Sequence, residues 1–376
     1  MSTAPAPLVD IDGVRPGVDA ALAQHVESLR HELGHMGSDP GLLLESVTTM
    51  VDGGKRLRAA FCYWSWAGHG GPGLARDRPG RAADRAQVLR VGAALELFQA
   101  AALFHDDVMD DSDTRRGRPA AHRELEALHR RRSWVGSSRR FGESGAILLG
   151  DLALIASERE FTAATDPLSH ETRLPARTIF DRMRTEVTVG QYLDVLGQAL
   201  PWGDDVDGDE QRARAVARSK SARYSVEHPL SLGAALAGAD EGALARCRRV
   251  GLPLGEAFQL RDDLLGVFGD PAVTGKPAGD DLREGKRTVL VARTLRGATP
   301  AQAQVVHDLL GRPDLDEDDV GRLREIMVST GAVDQVEDLI EQLAGPALDT
   351  LRAGDLLDPA RQVLVDLGVA AVRRRT

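Results

Sequence analysis

From Val18 to the C-terminal region of this 376-residue chain, nearly every segment repeats its apolar residues with the period of an α-helix. The pattern is clearest in Val18–Leu33, Arg58–Ala67, Ala82–Asp110, Ala146–Glu160, Ala176–Leu200, Asp209–Ala237 and Glu241–Phe268, and it resumes beyond Pro300. Strictly alternating runs rich in Val, Ile, Thr and aromatics are absent, so a sheet has no sequence to build it. The expectation is an all-α chain of about ten or more helices of ordinary length. Residues 1–16, rich in Pro, Ala and Asp, read as a flexible arm, and 17–376 as one helical domain. Breaks fall at Gly68–Gly80, Leu128–Gly145, Pro201–Gly208 and Gly269–Gly285. The Leu128–Gly145 stretch, with five arginines, reads as a basic, solvated surface loop.

With 42% hydrophobic residues the chain has material for a large core, and disorder throughout is excluded. A net charge of −10 argues against nucleic acid as a partner, because a face that binds a polyanion is basic. Cys62 and Cys247 lie too far apart in sequence to suggest a disulfide framework and read as buried thiols of a reducing cytoplasm. No basic-then-apolar leader is present, and no run reaches the roughly 18 apolar residues of a membrane span. A soluble, cytoplasmic protein is expected.

Two long apolar segments end in paired aspartates. In His105-Asp106-Asp107-Val108-Met109-Asp110, Asp106 and Asp110 stand at i and i+4 and share a helix face, with Asp107 beside them. Like charges at that spacing repel, and a hard divalent cation relieves them because carboxylate oxygens are its preferred ligands. In Gln259-Leu260-Arg261-Asp262-Asp263, Gln259 and Asp263 share a face and Asp262 lies alongside. Mg²⁺ binds through one or two carboxylates together with substrate phosphates. One aspartate pair at a helix end is ordinary solvated surface. Two such pairs with basic residues near them describe a diphosphate held through bridging metal.

The basic residues sharpen this. Of 47, only Lys55, Lys220, Lys276 and Lys286 are lysines, and each sits in a short polar segment beside Gly, Ser, Asp or Arg. A lysine is a compact point charge suited to a phosphate oxygen, where arginine is a rigid fork. Lys55 and Arg58, in Gly53-Gly54-Lys55-Arg56-Leu57-Arg58, share a helical face, but the spacing is not that of a P-loop. Arg115, Arg116 and Gly117 follow the first acidic cluster directly, with the glycine expected to let backbone turn close to diphosphate oxygens. Separate basic groups point to two diphosphates, one bound through metal and one without it.

In this order and spacing, the chain resembles the trans-isoprenyl diphosphate synthases, the geranylgeranyl, farnesyl and polyprenyl diphosphate synthase family. The matching motifs are Gly-Gly-Lys-Arg-x-Arg (53–58), His-Asp-Asp-x-x-Asp (105–110), Arg-Arg-Gly-x-Pro (115–119), Gly-Gln-x-x-Asp (190–194), Lys-Ser-x-x-Tyr-Ser (220–225), Gln-x-x-Asp-Asp (259–263) and the stretch 269–288. The resemblance implies the isoprenoid synthase fold, a helical bundle around a deep central cavity, and a homodimer. It implies about three Mg²⁺ ions on Asp106, Asp110 and Asp262, with Asp107 and Asp263 in support. By the same resemblance Arg115, Lys220, Lys276 and Lys286 hold the allylic diphosphate. Gly54, Lys55, Arg58, Gln99 and Arg116 hold isopentenyl diphosphate. Lys220 (through its carbonyl), Ser221 and Gln259 face the allylic cation. Phe98, Ala101 and Ala102 are expected to set chain length, with Phe98 as the tunnel floor. The implied reaction is head-to-tail condensation to a trans-prenyl diphosphate, with geranylgeranyl diphosphate as product.

The sequence departs from the family pattern at Gly266, where many members carry a third aspartate, and Asp281 rather than Asp280 matches the family's loop aspartate. His105 reads as a packing residue rather than a ligand. The alternatives are a synthase of longer chains, a terpene cyclase of the same fold, and a non-catalytic subunit of a heteromeric prenyltransferase. Cyclases lack the second diphosphate site that Gly53–Arg58 and Arg116 supply, and non-catalytic subunits lose acidic motifs that this chain keeps.

Overall fold

The computed structural model describes residues 8–201, 206–269, 279–312 and 314–373, and these are almost wholly helical. The helices are α1 (Val14–Leu33), α2 (Gly41–Val51), α3 (Leu57–Gly68), α4 (Gly71–Asp77), α5 (Arg85–Met109), α6 (Ala121–Arg131), α7 (Ser138–Thr165) and α8 (His170–Ala199). They continue with α9 (Val206–Val216), a π-helix (Ala217–Glu227), α10 (His228–Leu236), α11 (Glu241–Phe268), α12 (Asp280–Arg283) and α13 (Val289–Gly297). The last four are α14 (Pro300–Leu309), α15 (Glu317–Ser329), α16 (Ala332–Ala353) and α17 (Ala360–Val372).

Helix α5 forms because its N-terminus is capped and its interior is mostly apolar and buried. Asp84 Oδ1 accepts from the Gln87 amide at 2.9 Å while Gln87 Oε1 accepts from the Asp84 amide at 2.8 Å, which satisfies two otherwise orphaned donors. By length and mean composition the helix could cross a membrane, although charged residues interrupt its apolar run. However, 72% of its apolar window is buried inside the protein, so it is the core helix of a bundle. It packs against α1, α3 and α7, while α11 packs against the π-helix and α16. One continuous apolar core runs from Val14 to Val372.

Three local placements differ from the sequence pattern. Among the described residues helix precedes position 17: Leu8–Gly13 forms a 3-10 turn, Ile11 packs on the core, and α1 begins at Val14. Most of the basic segment 128–145 is helical, because α6 runs to Arg131 and α7 starts at Ser138, leaving only a six-residue elbow. The break at Gly68–Gly80 contains α4.

Two local features shape the site. Thr114–Arg115 and Arg118–Pro119 pair as a minimal hairpin whose central residues, Arg116 and Gly117, have φ of 53° and 74°. Left-handed backbone at both positions is what a type I′ turn requires, so the Arg-Arg-Gly-x-Pro motif is a turn-former. The π-helix lies against α8 and α11 at a spacing only glycine permits. A β-carbon at Gly190 would meet the Lys220 backbone nitrogen at 2.4 Å, and one at Gly255 would meet the Ala222 carbonyl oxygen at 2.2 Å.

Candidate diphosphate and metal site

Helices α5, α8, α11 and the π-helix wall a cavity of about 550 Å³. The residues of α5 that line it are Gln99, Ala102, Leu103 and Asp106, a single i, i+3, i+4, i+7 stripe. Opposite stand Gln259, Asp262 and Asp263 of α11 with Asp280 and Asp281 of α12. The sequence-predicted Lys55, Arg58, Arg115, Arg116, Lys220, Ser221 and Lys286 also reach it. The two acidic motifs and both basic groups are therefore brought together.

The cations and carboxylates interlock. Lys220 Nζ donates to Asp194 Oδ2 at 2.7 Å and lies 3.0 Å from Asp106 Oδ1. Lys286 bridges the two walls, with Nζ 3.3 Å from Asp110 and 3.5 Å from Asp281, and it also pairs with Glu284. Arg115 donates from Nε to Asp107 Oδ1 at 2.8 Å and reaches Asp106 at 3.5 Å. Asp107 is fully buried and holds Arg115 rather than lining the cavity. Gln259 donates to Asp263 Oδ1 at 2.7 Å.

Burial pushes the Asp106 carboxyl up, but Lys220, Lys286 and Arg115 together outweigh it and hold it well below the usual range. Asp110, buried and next to Asp106, is raised to about 6. Asp263 is raised to about 8 by burial and then by the charge of Asp281. Carboxyls that resist ionisation beside one another mark negative charge that the protein's own cations do not fully offset. That is the electrostatic condition for a divalent cation, and hard oxygen donors are its chemistry. Among the described residues no three such groups converge tightly enough to hold an ion alone. An ion here must therefore take further ligands from substrate, as Mg²⁺ does with phosphates.

The second basic group has a different setting. Arg58 lies 4.0 Å over the Tyr224 ring and donates to Ser225 Oγ at 3.0 Å. Arg116 donates to the Met50 carbonyl at 2.9 Å. Gly54 is small for a reason: a β-carbon there would meet Arg56 Nη1 at 2.7 Å.

Several placements differ from expectation. Ala102 lines the cavity, but Ala101 is fully buried on the far side of α5. Phe98 is also off the cavity, packed edge-on against Tyr224 at 5.4 Å between centroids, so it backs a wall residue rather than forming a floor. His105 packs between α5 and α7, with Nε2 3.1 Å from the Ile147 carbonyl oxygen. Lys276 lies outside the described residues.

Sequence reasoning gave no role to Asp194, although the Gly-Gln-x-x-Asp motif contains it, or to Tyr224, although Lys-Ser-x-x-Tyr-Ser does. It also overlooked Arg56. That residue adopts a left-handed conformation (φ 52°) at the start of α3 and is buried between Asp19, at 2.7 Å, and Glu96, at 3.1 Å. These two carboxylates fix the Lys55–Arg58 segment in the cavity wall, and the Arg at the centre of the motif was the signal.

Residues 40–327 match the Polyprenyl synthetase family. Geranylfarnesyl diphosphate synthase of Aeropyrum pernix is 32% identical over 328 residues, covering 86% of this chain and 90% of that enzyme. Geranylgeranyl diphosphate synthase of Sulfolobus acidocaldarius is 30% identical over 341 residues, covering 90% and 92%. The crystal structure of geranylgeranyl pyrophosphate synthase from Corynebacterium glutamicum, complexed with isoprenyl diphosphate and magnesium, superposes with a TM-score of 0.88. It is 37% identical, with 95% of this chain and 98% of that one covered. Motifs, cavity and relatives agree along most of the sequence, and the chain belongs to the polyprenyl synthetase family, as a trans-isoprenyl diphosphate synthase.

Proposed function

We propose that the protein joins an allylic diphosphate head-to-tail to isopentenyl diphosphate and makes geranylgeranyl diphosphate. The observation that carries this reading is the division of one cavity's basic residues into two groups. Lys220, Lys286 and Arg115 are interlaced with the aspartates, whereas Arg58 rests on Tyr224 and Ser225. One diphosphate fits among the carboxylates with metal, and the other fits without it.

Asp106, Asp110, Asp262 and Asp263 would hold Mg²⁺, which when bound supplies Lewis-acid charge neutralisation to the departing diphosphate. Lys220 and Arg115 orient that diphosphate while its allylic C–O bond breaks. Ser221, Gln259 and the Lys220 carbonyl turn dipoles toward the cation that remains, with no strong base beside it. The isopentenyl double bond, placed by Lys55, Arg58 and Gln99, bonds to the allylic carbon, and the released diphosphate takes the proton lost from the adduct.

The same reading includes a cytoplasmic homodimer. Ile147, Leu148 and Ile155 on α7 and Val189, Tyr192 and Val195 on α8 are exposed apolar side chains that a second copy would cover. Incubating the purified protein with farnesyl and isopentenyl diphosphates and Mg²⁺, then sizing the products, tests the function. A twenty-carbon product that disappears on chelation is expected. Cyclised hydrocarbon, or no condensation, would refute the reading.

A further inference from the structure

The elbow between α6 and α7 is not used by the reaction, and its composition is unlike the rest of the surface. Residues 130–140 contain five arginines in a chain whose net charge is −10. Arg130 and Arg139 pair with Glu126 and Glu143 on their own helices, but Arg131, Arg132 and Arg140 form no ion pair among the described residues. At the tip, Val135 is 100% exposed and Trp134 42% exposed.

This tip is held rather than loose. Ser133 and Gly136 reverse the chain at φ of 51° and 97°. Trp134 stands edge-on to His129 at 5.9 Å and to Phe141 at 5.2 Å, and His129 Nε2 lies 3.2 Å from the Val135 carbonyl oxygen. An aliphatic side chain wholly in water, presented beside a half-exposed indole by a braced turn, gains nothing for the fold.

We propose that this elbow docks on an anionic lipid bilayer. Arginines that have no internal partner supply attraction to acidic headgroups. Trp134 and Val135 supply the apolar wedge that settles at the headgroup boundary, where indole rings are favoured. Charge alone would equally suit a soluble diphosphate or another acidic protein, but a free anion has no use for the exposed apolar tip. Position adds to the argument, because Arg139 reaches Asp111 at 3.5 Å, one residue beyond the Asp106–Asp110 motif. Docking there would bring the segment that follows the Asp106–Asp110 motif close to the membrane. On the function proposed above, an amphiphilic product would leave next to the phase that dissolves its hydrocarbon chain. The docking surface itself does not rest on that reading.

Sedimentation of the full-length protein with vesicles tests it. Binding is expected to phosphatidylcholine vesicles containing phosphatidylglycerol and not to phosphatidylcholine alone, and added salt should weaken it. Val135→Asp should weaken partition about tenfold or more by removing the wedge. Arg131→Glu with Arg132→Glu should weaken it at least about fivefold per charge. Both variants should keep the helical spectrum and the condensation activity in solution. Absence of wild-type binding overturns the proposal. So does binding that Val135→Asp leaves unchanged, which would be long-range attraction without docking. A wild type that ignores vesicles but whose variants change sedimenting mass would make the elbow an interface between copies, and would also overturn it.

Discussion

Asp281 occupies the space in front of the Gly266 Cα, so that a β-carbon added at Gly266 would stand 1.9 Å from Asp281 Oδ2. Position 266 is where the sequence resemblance leads a third aspartate to be expected. Here the helix omits the side chain, and a carboxylate from the following segment fills its place. The Gly279 amide donates to the Gly266 carbonyl at 3.2 Å, which ties that segment to α11 at the same point.

Gly266→Ala must therefore push Asp281 away, and with it the Lys286 ammonium that links Asp281 to Asp110. Turnover should fall about tenfold and the Mg²⁺ needed for half-maximal rate should rise. Because both changes act on one carboxylate, Gly266→Ala added to Asp281→Ala should cost little more than Asp281→Ala alone. A magnesium titration of the four proteins checks this, and additive losses would separate the two residues.

The two acidic motifs were readable because their spacing puts carboxylates on one helical face, and the cavity keeps that face. The facing of α5 at greater depth was not readable. From Val88 to Ala101 the helix is buried on nearly every side, and of those residues only the polar Gln99 marks the cavity face. Phe98, expected at the floor, stands off that stripe. Tyr224 and Asp194 stand within the motifs, but their partners lie elsewhere: Lys220 meets Asp194 where α8 packs closely on the π-helix at Gly190, and Arg58 reaches Tyr224 from α3.

Lys55→Ala should raise KM for isopentenyl diphosphate more than KM for the allylic substrate, and Lys220→Ala should do the reverse. Lys220 is tied to Asp106 and Asp194, whereas Lys55 lines the cavity next to the Arg58–Tyr224 pair. Both KM values measured in both variants decide the point, since identical patterns would merge the two sites.

Asp263 and Asp110, with carboxyls raised to about 8 and about 6, bind more protons in the folded state than in the unfolded one. The stability these two groups contribute to the metal-free protein should therefore be lost as pH rises from about 4 through 8, because folding then requires ionising groups that burial disfavours. A bound divalent cation needs the same carboxylates ionised, so Mg²⁺ should raise Tm more at pH 8 than at pH 6. Thermal melts at both pH values, with metal and with chelator, measure the difference. Equal Mg²⁺ shifts at the two pH values would remove these carboxyls from the metal site.

Cys62 and Cys247 are both buried, and burial pushes their thiols up to about 12 and about 11. Only the thiolate reacts with alkylating reagents, so the native protein at pH 8 should be nearly inert to them. Unfolding in guanidinium should release two reactive thiols. Counting them with a chromogenic disulfide reagent before and after unfolding checks this, and rapid native labelling would contradict the burial of either site.

Product length should respond to the face of α5 that the cavity exposes. Ala102 and Leu103 lie on it, one turn below Asp106, while Ala101 is fully buried on the opposite side. Ala102→Phe places a ring where the growing chain must pass, so the main product should become shorter by one or more isoprene units, with the fold preserved. Ala101→Phe instead forces a ring into a filled core, which should destabilise the protein by about 1–3 kcal/mol and leave product length unchanged. Phe98→Ala removes the edge-on support of Tyr224 and should destabilise by about 3–5 kcal/mol, without the lengthening expected of a lost floor. Chromatographic sizing of products, alongside denaturant midpoints, separates these outcomes. Shortening in Ala101→Phe with none in Ala102→Phe would mean that the chain grows along the other face of the helix.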